Sequence, residues 1–392
     1  MSSRSLAAPE RPTSSTRGRE RLGLRRLVVN GLLIAAAVAI AVALLDGFVL
    51  VVTGEHEVVD FRAYNGAAEA LLRGQSPYPS VDEATLGSGR EYVYPPLTAL
   101  VVVPLALLPL SAAEGIVVLA LALGVIATLL LVGVRDWRCY VVAFLWVPVL
   151  NAVGLGNITI LLGLAAALAW RYRDRALPAA VAVGVTLAAK MFLWPLVVWL
   201  AATRRFRAAL LSCAVGAGVL VLSWAAVGFR GIADYGELVR LIQSLSDDDA
   251  YSMYAVALDA GAPDALARLL WLGVAVALLA GSVVLGRRGD ERGAFVLAIA
   301  AAVAFSPIVW RHYFELLLVA VAVARPTLGV VWFVPPVMWF VSTGSGNGTW
   351  RQTSATLLVA GVTVALALVS SRDVGQTDAA GSVVATAEPE TA

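Results

Sequence analysis

Apolar runs follow one another along nearly the whole of this chain, and such runs cannot all be hidden from water in a soluble fold. The first, Leu27 to Val52, is long enough to cross a hydrocarbon layer. Others fall near 97–110, 111–134, 139–153, 157–170, 176–190, 191–202 and 208–227. After a loop at 228–262 come 264–285, 293–308, 313–324, 328–342 and 353–370. The chain is 60% hydrophobic and 14% charged, where soluble domains have about half and about a quarter. The expected class is all-α: a polytopic integral membrane protein of about twelve spans. Several runs fall below the ~20 residues of a straight span. Short, Gly- or Pro-interrupted segments at membrane depth are tolerated where they line protein or a water-filled cavity.

The charges orient these spans. Residues 1–26 carry seven arginines among Ser and Pro and read as a disordered, basic cytoplasmic tail. The run from Leu27 is too long for the apolar core of a cleaved signal peptide. Arg135/Arg138, Arg171/Arg173/Arg175, Arg204/Arg205/Arg207 and Arg287/Arg288/Arg292 are expected on the cytoplasmic side. The breaks at Gly154–Asn157, Lys190 and Arg311–His312 then face outward. So do the loops 53–96 and 228–262. This alternation requires 97–110 to be re-entrant or half-inserted. Residues 27–372 make one transmembrane domain, and 373–392 a disordered tail. Cys139 and Cys213 are expected as two buried thiols without a disulfide.

Of the 29 basic residues 28 are arginine, and the one lysine is Lys190. Where every other cation has become Arg, a retained Lys points to a need for that side chain. An ionisable group in apolar surroundings is a functional candidate by default, against the blander reading of snorkelling to the interface. There is no P-loop, GxGxxG, CxxC or HExxH, so ATP, dinucleotide and structural zinc readings have no support. No cofactor and no nucleic-acid partner is expected.

The longest early polar stretch is 55–96. Phe61, Tyr64, Ala68, Leu71 and Leu72 share one face of a helix, and Arg62, Asn65, Glu69 and Arg73 the other, with Gly74 as C-cap. This pattern predicts a short interfacial helix with Asp60 at its N-cap. Asp60-Phe-Arg-Ala-Tyr64, Leu72-x-Gly74-x-x-x-Tyr78 and Tyr94-Pro-Pro96 resemble the first outer loop of glycosyltransferase family 87, in the GT-C superfamily. Gly156-Asn157, Lys190 followed by Pro195, and Ser306-Pro307 ahead of His312 are further, weaker matches. The chain departs from the family in having Asn157 where Gln is frequent. It also has Trp310-Arg311 and Tyr313 where a second His or Asp is found near His312.

The resemblance implies a GT-C fold and an actinobacterial cell-envelope enzyme in the plasma membrane, its active site facing outward. The donor would be a polyprenyl-phosphate sugar, usually mannose and in some members arabinofuranose. The acceptor would be a glycolipid or lipoglycan, such as a phosphatidylinositol mannoside. Asp60 matches the base of that loop, with helix capping as its alternative role. The leaving phosphate needs no protonation, unlike the leaving group of a two-carboxylate glycosidase, so one base and a few cations suffice. Lys190, His312 and Arg311 are the candidate phosphate ligands, His312 being equally readable as a packed histidine. Tyr64, Tyr94, Asn157, Glu57, Tyr251 and Tyr254 are candidate donor or acceptor contacts. Asp247-Asp248-Asp249 reads as a solvated loop, or as the rim of an acceptor groove. His56, between Glu55 and Glu57, reads as surface decoration rather than a metal ligand, and no metal is expected. The rival class is a lipid or small-molecule transporter or flippase, which predicts two related halves and ionisable groups at mid-membrane. No such repeat is visible.

Overall fold

A computed structural model describes residues 14–79, 86, 91–246, 250–306, 308–341 and 349–385. Asp247-Asp248-Asp249 and Pro307 lie outside the described residues. The chain divides into two compact units, Met1–Asp46 and Gly47–Ala392. All regular structure among the described residues is helical. The order is α1 (Ser14–Val52), α2 (Val59–Leu72), α3 (Pro96–Val102), α4 (Leu110–Leu131), α5 (Trp137–Ala143), α6 (Val147–Leu155), α7 (Thr159–Arg171) and α8 (Ala176–Lys190). There follow α9 (Pro195–Ala202), α10 (Phe206–Ala226), α11 (Ile232–Ser246), α12 (Met253–Asp259), α13 (Asp264–Arg287), α14 (Glu291–Phe305), α15 (Leu316–Ala324) and α16 (Trp350–Ala385). Helix thus extends into both stretches expected as tails.

Five helices are long and apolar enough to cross a membrane: the Leu27–Val52 part of α1, then α4, α10, α13 and the Trp350–Arg372 part of α16. The pair α5–α6 makes a sixth if its 67° bend is counted as one broken span. The remaining apolar helices are shorter, so length and composition do not establish the expected twelve. At the α5–α6 break, indoles take up freed carbonyls. Trp339 Nε1 donates to Leu145 O at 2.7 Å, and Trp146 Nε1 to Trp332 O at 3.0 Å. Such re-satisfaction is what permits broken backbone away from water. Where α8 crosses α10, a Cβ on Gly184 would stand 2.7 Å from Val215 Cβ, so small residues set this close approach.

The helix ends sort by charge. Arg205 pairs with Asp174 (2.6 Å) and Glu291 (2.7 Å), and Arg173 with Glu291 (3.0 Å). These pairs tie the end of α7 to the starts of α8, α10 and α14. From there α8 runs to Lys190 and α10 to Val227. Beyond that far end, the Tyr235 hydroxyl of α11 donates to Val93 O at 3.0 Å, and the Arg230 guanidinium to Gly74 O at 2.6 Å. The segment 96–109 holds no helix of span length. α3 and a 3-10 turn at Leu105–Leu107 lead back to α4, whose Glu114 meets the start of α2.

α2 differs from its expected form in three respects. Its N-cap is Val58, and Asp60 sits inside the first turn. The N–H of Val58 donates to Glu114 Oε1 at 3.2 Å. Asn65, expected on the polar face, is buried and donates to Glu69 at 2.8 Å, while Leu72 is exposed. Phe61 and Tyr64 bury against Val58, Tyr92, Ala99 and Leu238, each contributing about 1.5–3 kcal/mol. α2 is therefore packed on protein along that face. Cys213 is exposed and Cys139 buried, both as free thiols, which corrects the expectation of two buried ones.

Glu114 is 0% exposed and anchors α2 from within a membrane helix. Its Oε1 also accepts from Arg62 Nε at 2.6 Å, and Arg62 Nη1 reaches Glu57 at 2.6 Å. Removing Glu114 leaves the buried Val58 N–H without its acceptor, while Arg62 keeps Glu57. Glu114→Ala is expected to destabilise the chain by about 1–3 kcal/mol, read by thermal unfolding in detergent. A change under about 0.5 kcal/mol would contradict the anchoring role.

Candidate active site

Three chain breaks build the site. The first is the turn between α6 and α7. Gly156 ends α6 with φ 71°, a left-handed conformation that disfavours side chains. A Cβ there would come 2.5 Å from Val58 Cγ1 and 2.8 Å from Phe61 Cβ, so glycine also admits the first turn of α2. Asn157 follows, and its Nδ2 donates to Asp60 Oδ2 at 2.8 Å. Its own Oδ1 accepts from Thr159 N at 2.9 Å and from the Thr159 hydroxyl. The amide is thereby locked with its N–H toward the carboxylate, 97 residues earlier in the chain.

The second break ends α8. Lys190 closes that helix, Met191 turns left-handed at φ 41°, and Pro195 opens α9. The Lys190 ammonium lies over the Tyr313 ring at 3.7 Å, with Tyr94 at 4.9 Å and Phe192 at 5.5 Å. It also donates to the Tyr94 hydroxyl at 3.3 Å. Three aromatic rings around one ammonium make a cation–π cage.

The third break, a 3-10 stretch Arg311–Glu315, supplies Tyr313 and His312. His312 is 5% exposed and packs edge-on to Tyr313 at 4.7 Å, with no hydrogen-bond partner at Nε2 among the described residues. Lys190 and Arg311 are its charged neighbours.

The Tyr94 loop is held from behind. The Tyr78 hydroxyl donates to Tyr94 O at 3.0 Å, and the Tyr92 hydroxyl to Pro95 O at 2.5 Å. Tyr64 meets Tyr94 edge-on at 5.3 Å. Burial and the Asp60 charge push the Tyr94 phenol up to about 12, so it keeps its proton. Burial also pushes the Asp60 carboxyl above its ordinary 3.8, opposed by the Asn157 hydrogen bond and the Lys190 charge. A carboxylate held by one amide, near a caged cation, is suited to accept a proton beside a bound anion.

Residues 92–310 match the model of glycosyltransferase family 87. The chain belongs to that family. It is therefore a membrane glycosyltransferase. No curated protein and no solved structure matches it.

Within this family 87 chain Asp60, Tyr64, Tyr94, Asn157, Lys190 and His312 come together. Glu57 is turned to Arg62. Tyr251 is buried, its N–H bonded to Val309 O, next to the Arg311 segment. The Tyr254 hydroxyl donates to Asp264 at 2.6 Å, fastening α12 to α13. His56 is exposed, and no three His, Cys, Asp or Glu side chains cluster among the described residues. Phe192, Thr159 and Glu114 belong to none of the sequence motifs, and Tyr313 enters there only as a departure from the family. Glu315 also lies outside those motifs, buried where a Cβ on Gly163 would stand 2.8 Å from its Oε1. A single Glu in an apolar run, as in SAAEGIVVLA, was the available signal for Glu114.

Asn157 stabilises the ionised form of Asp60. Asn157→Ala is expected to move the acidic limb of the kcat–pH profile upward, because the carboxyl then holds its proton to higher pH. A limb left in place would separate Asn157 from the titration of Asp60.

Proposed function

We propose that this glycosyltransferase moves mannose from polyprenyl-phosphate mannose to a hydroxyl of a cell-envelope glycolipid or lipoglycan at the outer leaflet. Asp60 is the general base. Its carboxylate takes the proton of the acceptor hydroxyl as that oxygen bonds to the anomeric carbon. The bond from that carbon to the phosphate oxygen breaks, and its electron pair leaves with polyprenyl phosphate. The configuration inverts. Lys190, with His312 and Arg311, holds the phosphate as its charge grows. Tyr94 links the two halves, its neutral hydroxyl meeting Lys190.

One observation supports the reading above the others: the Asp60 carboxylate and the Lys190 ammonium share one electrostatic environment, at the helix ends away from the Arg173–Arg205 cluster. A transporter would instead be expected to carry its ionisable groups near mid-membrane.

The test uses the purified chain, radiolabelled polyprenyl-phosphate mannose and a mixed envelope glycolipid extract, with Asp60→Ala as the comparison. Label transferred by the wild type alone supports donor class and base together. Transfer only from a polyprenyl-phosphate arabinofuranose donor would replace the sugar and keep the mechanism. Equal transfer by Asp60→Ala would remove Asp60 from the chemistry.

A further inference from the structure

A second charged feature lies at the arginine-bearing ends of α9, α10 and α13, far along the helices from Asp60. There a cavity of about 390 Å³ opens between Val198 and Ala202 of α9, Phe206 of α10, and Val283 of α13, with Arg204 and Arg287 at its edge. Its size falls in the range of small-molecule sites. At Gly286 a Cβ would stand 3.1 Å from Ala202 Cβ, so glycine sets the close approach of α13 to the end of α9.

The two arginines differ from Arg173 and Arg205. Asp174 and Glu291, the acids of this end, are engaged by Arg205 and Arg173. Among the described residues, the guanidinium groups of Arg204 and Arg287 make no hydrogen bond or ion pair, and both residues are exposed. Arg204 is also held left-handed at φ 64°, a conformation that costs about 1–3 kcal/mol in a residue with a side chain. α10 begins beside the cavity without a side-chain cap, so its first N–H groups add a partial positive charge. The dipole at the end of α13 accounts for one cation there, Arg287, and leaves Arg204 without a partner. The apolar side continues outward over Phe206 and Leu210, both exposed large hydrophobics.

Two unpaired guanidiniums and a helix N-terminus above an exposed apolar strip match one kind of ligand: a phosphate ester carried on acyl chains. We propose that this cavity binds the headgroup of an anionic phospholipid, its phosphate between Arg204 and Arg287 and its chains along Phe206 and Leu210. Basic pockets between membrane helices hold such headgroups by this combination. The site is independent of the Asp60 reading.

The test takes the full-length chain in nanodiscs of phosphatidylglycerol mixed with phosphatidylcholine, and reads co-purifying lipid by native mass spectrometry. The wild type is expected to enrich phosphatidylglycerol roughly 10- to 30-fold over the bulk mixture, on the scale of two arginines at an anionic surface. R204Q/R287Q is expected to lose that enrichment, and each single variant part of it. Arg288→Gln, an exposed arginine outside the cavity, is expected to keep it. Equal loss in Arg288→Gln would reduce the effect to general positive charge and overturn the site. So would wild-type enrichment in the double variant. Displacement of the lipid by millimolar inorganic phosphate would assign the arginines to a free anion and overturn the lipid.

Discussion

Asp60→Asn is expected to lower the turnover of sugar transfer about 10²–10⁴-fold, the range that a positioned general base supplies. The substitution keeps the shape of the side chain and removes its charge and its ability to accept a proton. Loss of fold would give the same kinetic result, but the physics separates the two. Burial raises the Asp60 pKa in the folded chain, so above the unfolded value of 3.8 its ionised form costs stability. An amide has no such cost. Asp60→Asn is therefore expected to unfold at or above the wild-type temperature near neutral pH while its turnover collapses. Donor binding, read as retention of labelled polyprenyl phosphate, is expected to persist because Lys190 is untouched. A folded Asp60→Asn chain with wild-type turnover would end the proposal that this carboxylate is the base.

What could be read from the sequence follows from what burial does to residue choice. Repeated apolar runs define the membrane class, because nothing but lipid tolerates so much apolar surface. The breaks at Gly156-Asn157, Lys190 and Arg311-His312 were visible because polar residues in such runs are costly and so have causes. Positive-inside sorting placed these breaks away from Arg173 and Arg205, and the helices do run between the two sets. The role of Asp60 within its helix was misread, because N-cap preference is a local rule. Here the helix starts earlier, with Val58 as N-cap held by Glu114 56 residues away, and Asp60 inside the first turn accepts from Asn157. The cage was illegible for a related reason. Phe192 and Tyr313 lie in runs where aromatic residues are common, and only the fold brings Tyr94 against a lysine 96 residues later. Runs such as 191–202 and 313–324 fold as pieces of 8 and 9 helical residues, so helix length does not establish the expected twelve spans.

The single lysine of the chain yields the second large effect. Lys190→Met is expected to lower kcat/KM about 10²–10³-fold, as loss of one preorganised group facing developing negative charge does. The split matters more than the size. A group that holds the phosphate in both ground state and transition state raises the donor KM when removed, and one that acts as charge grows lowers kcat. Lys190 is expected to do more of the second, since the leaving phosphate gains charge as the bond breaks. Its removal also takes a positive charge from Asp60, so the acidic limb of the pH profile should move upward in Lys190→Met, as in Asn157→Ala. Arginine tests geometry against charge. The Tyr313 face stands 3.7 Å from the ammonium, and Tyr94 and Phe192 close two more sides. A planar guanidinium is broader than a compact ammonium and spreads its donors in a fork. Lys190→Arg is therefore expected to restore the position of the acidic limb, because the charge returns, without recovering most of the lost turnover. Full recovery by arginine would show that charge alone suffices, and the retention of one lysine among 28 arginines would then need another cause.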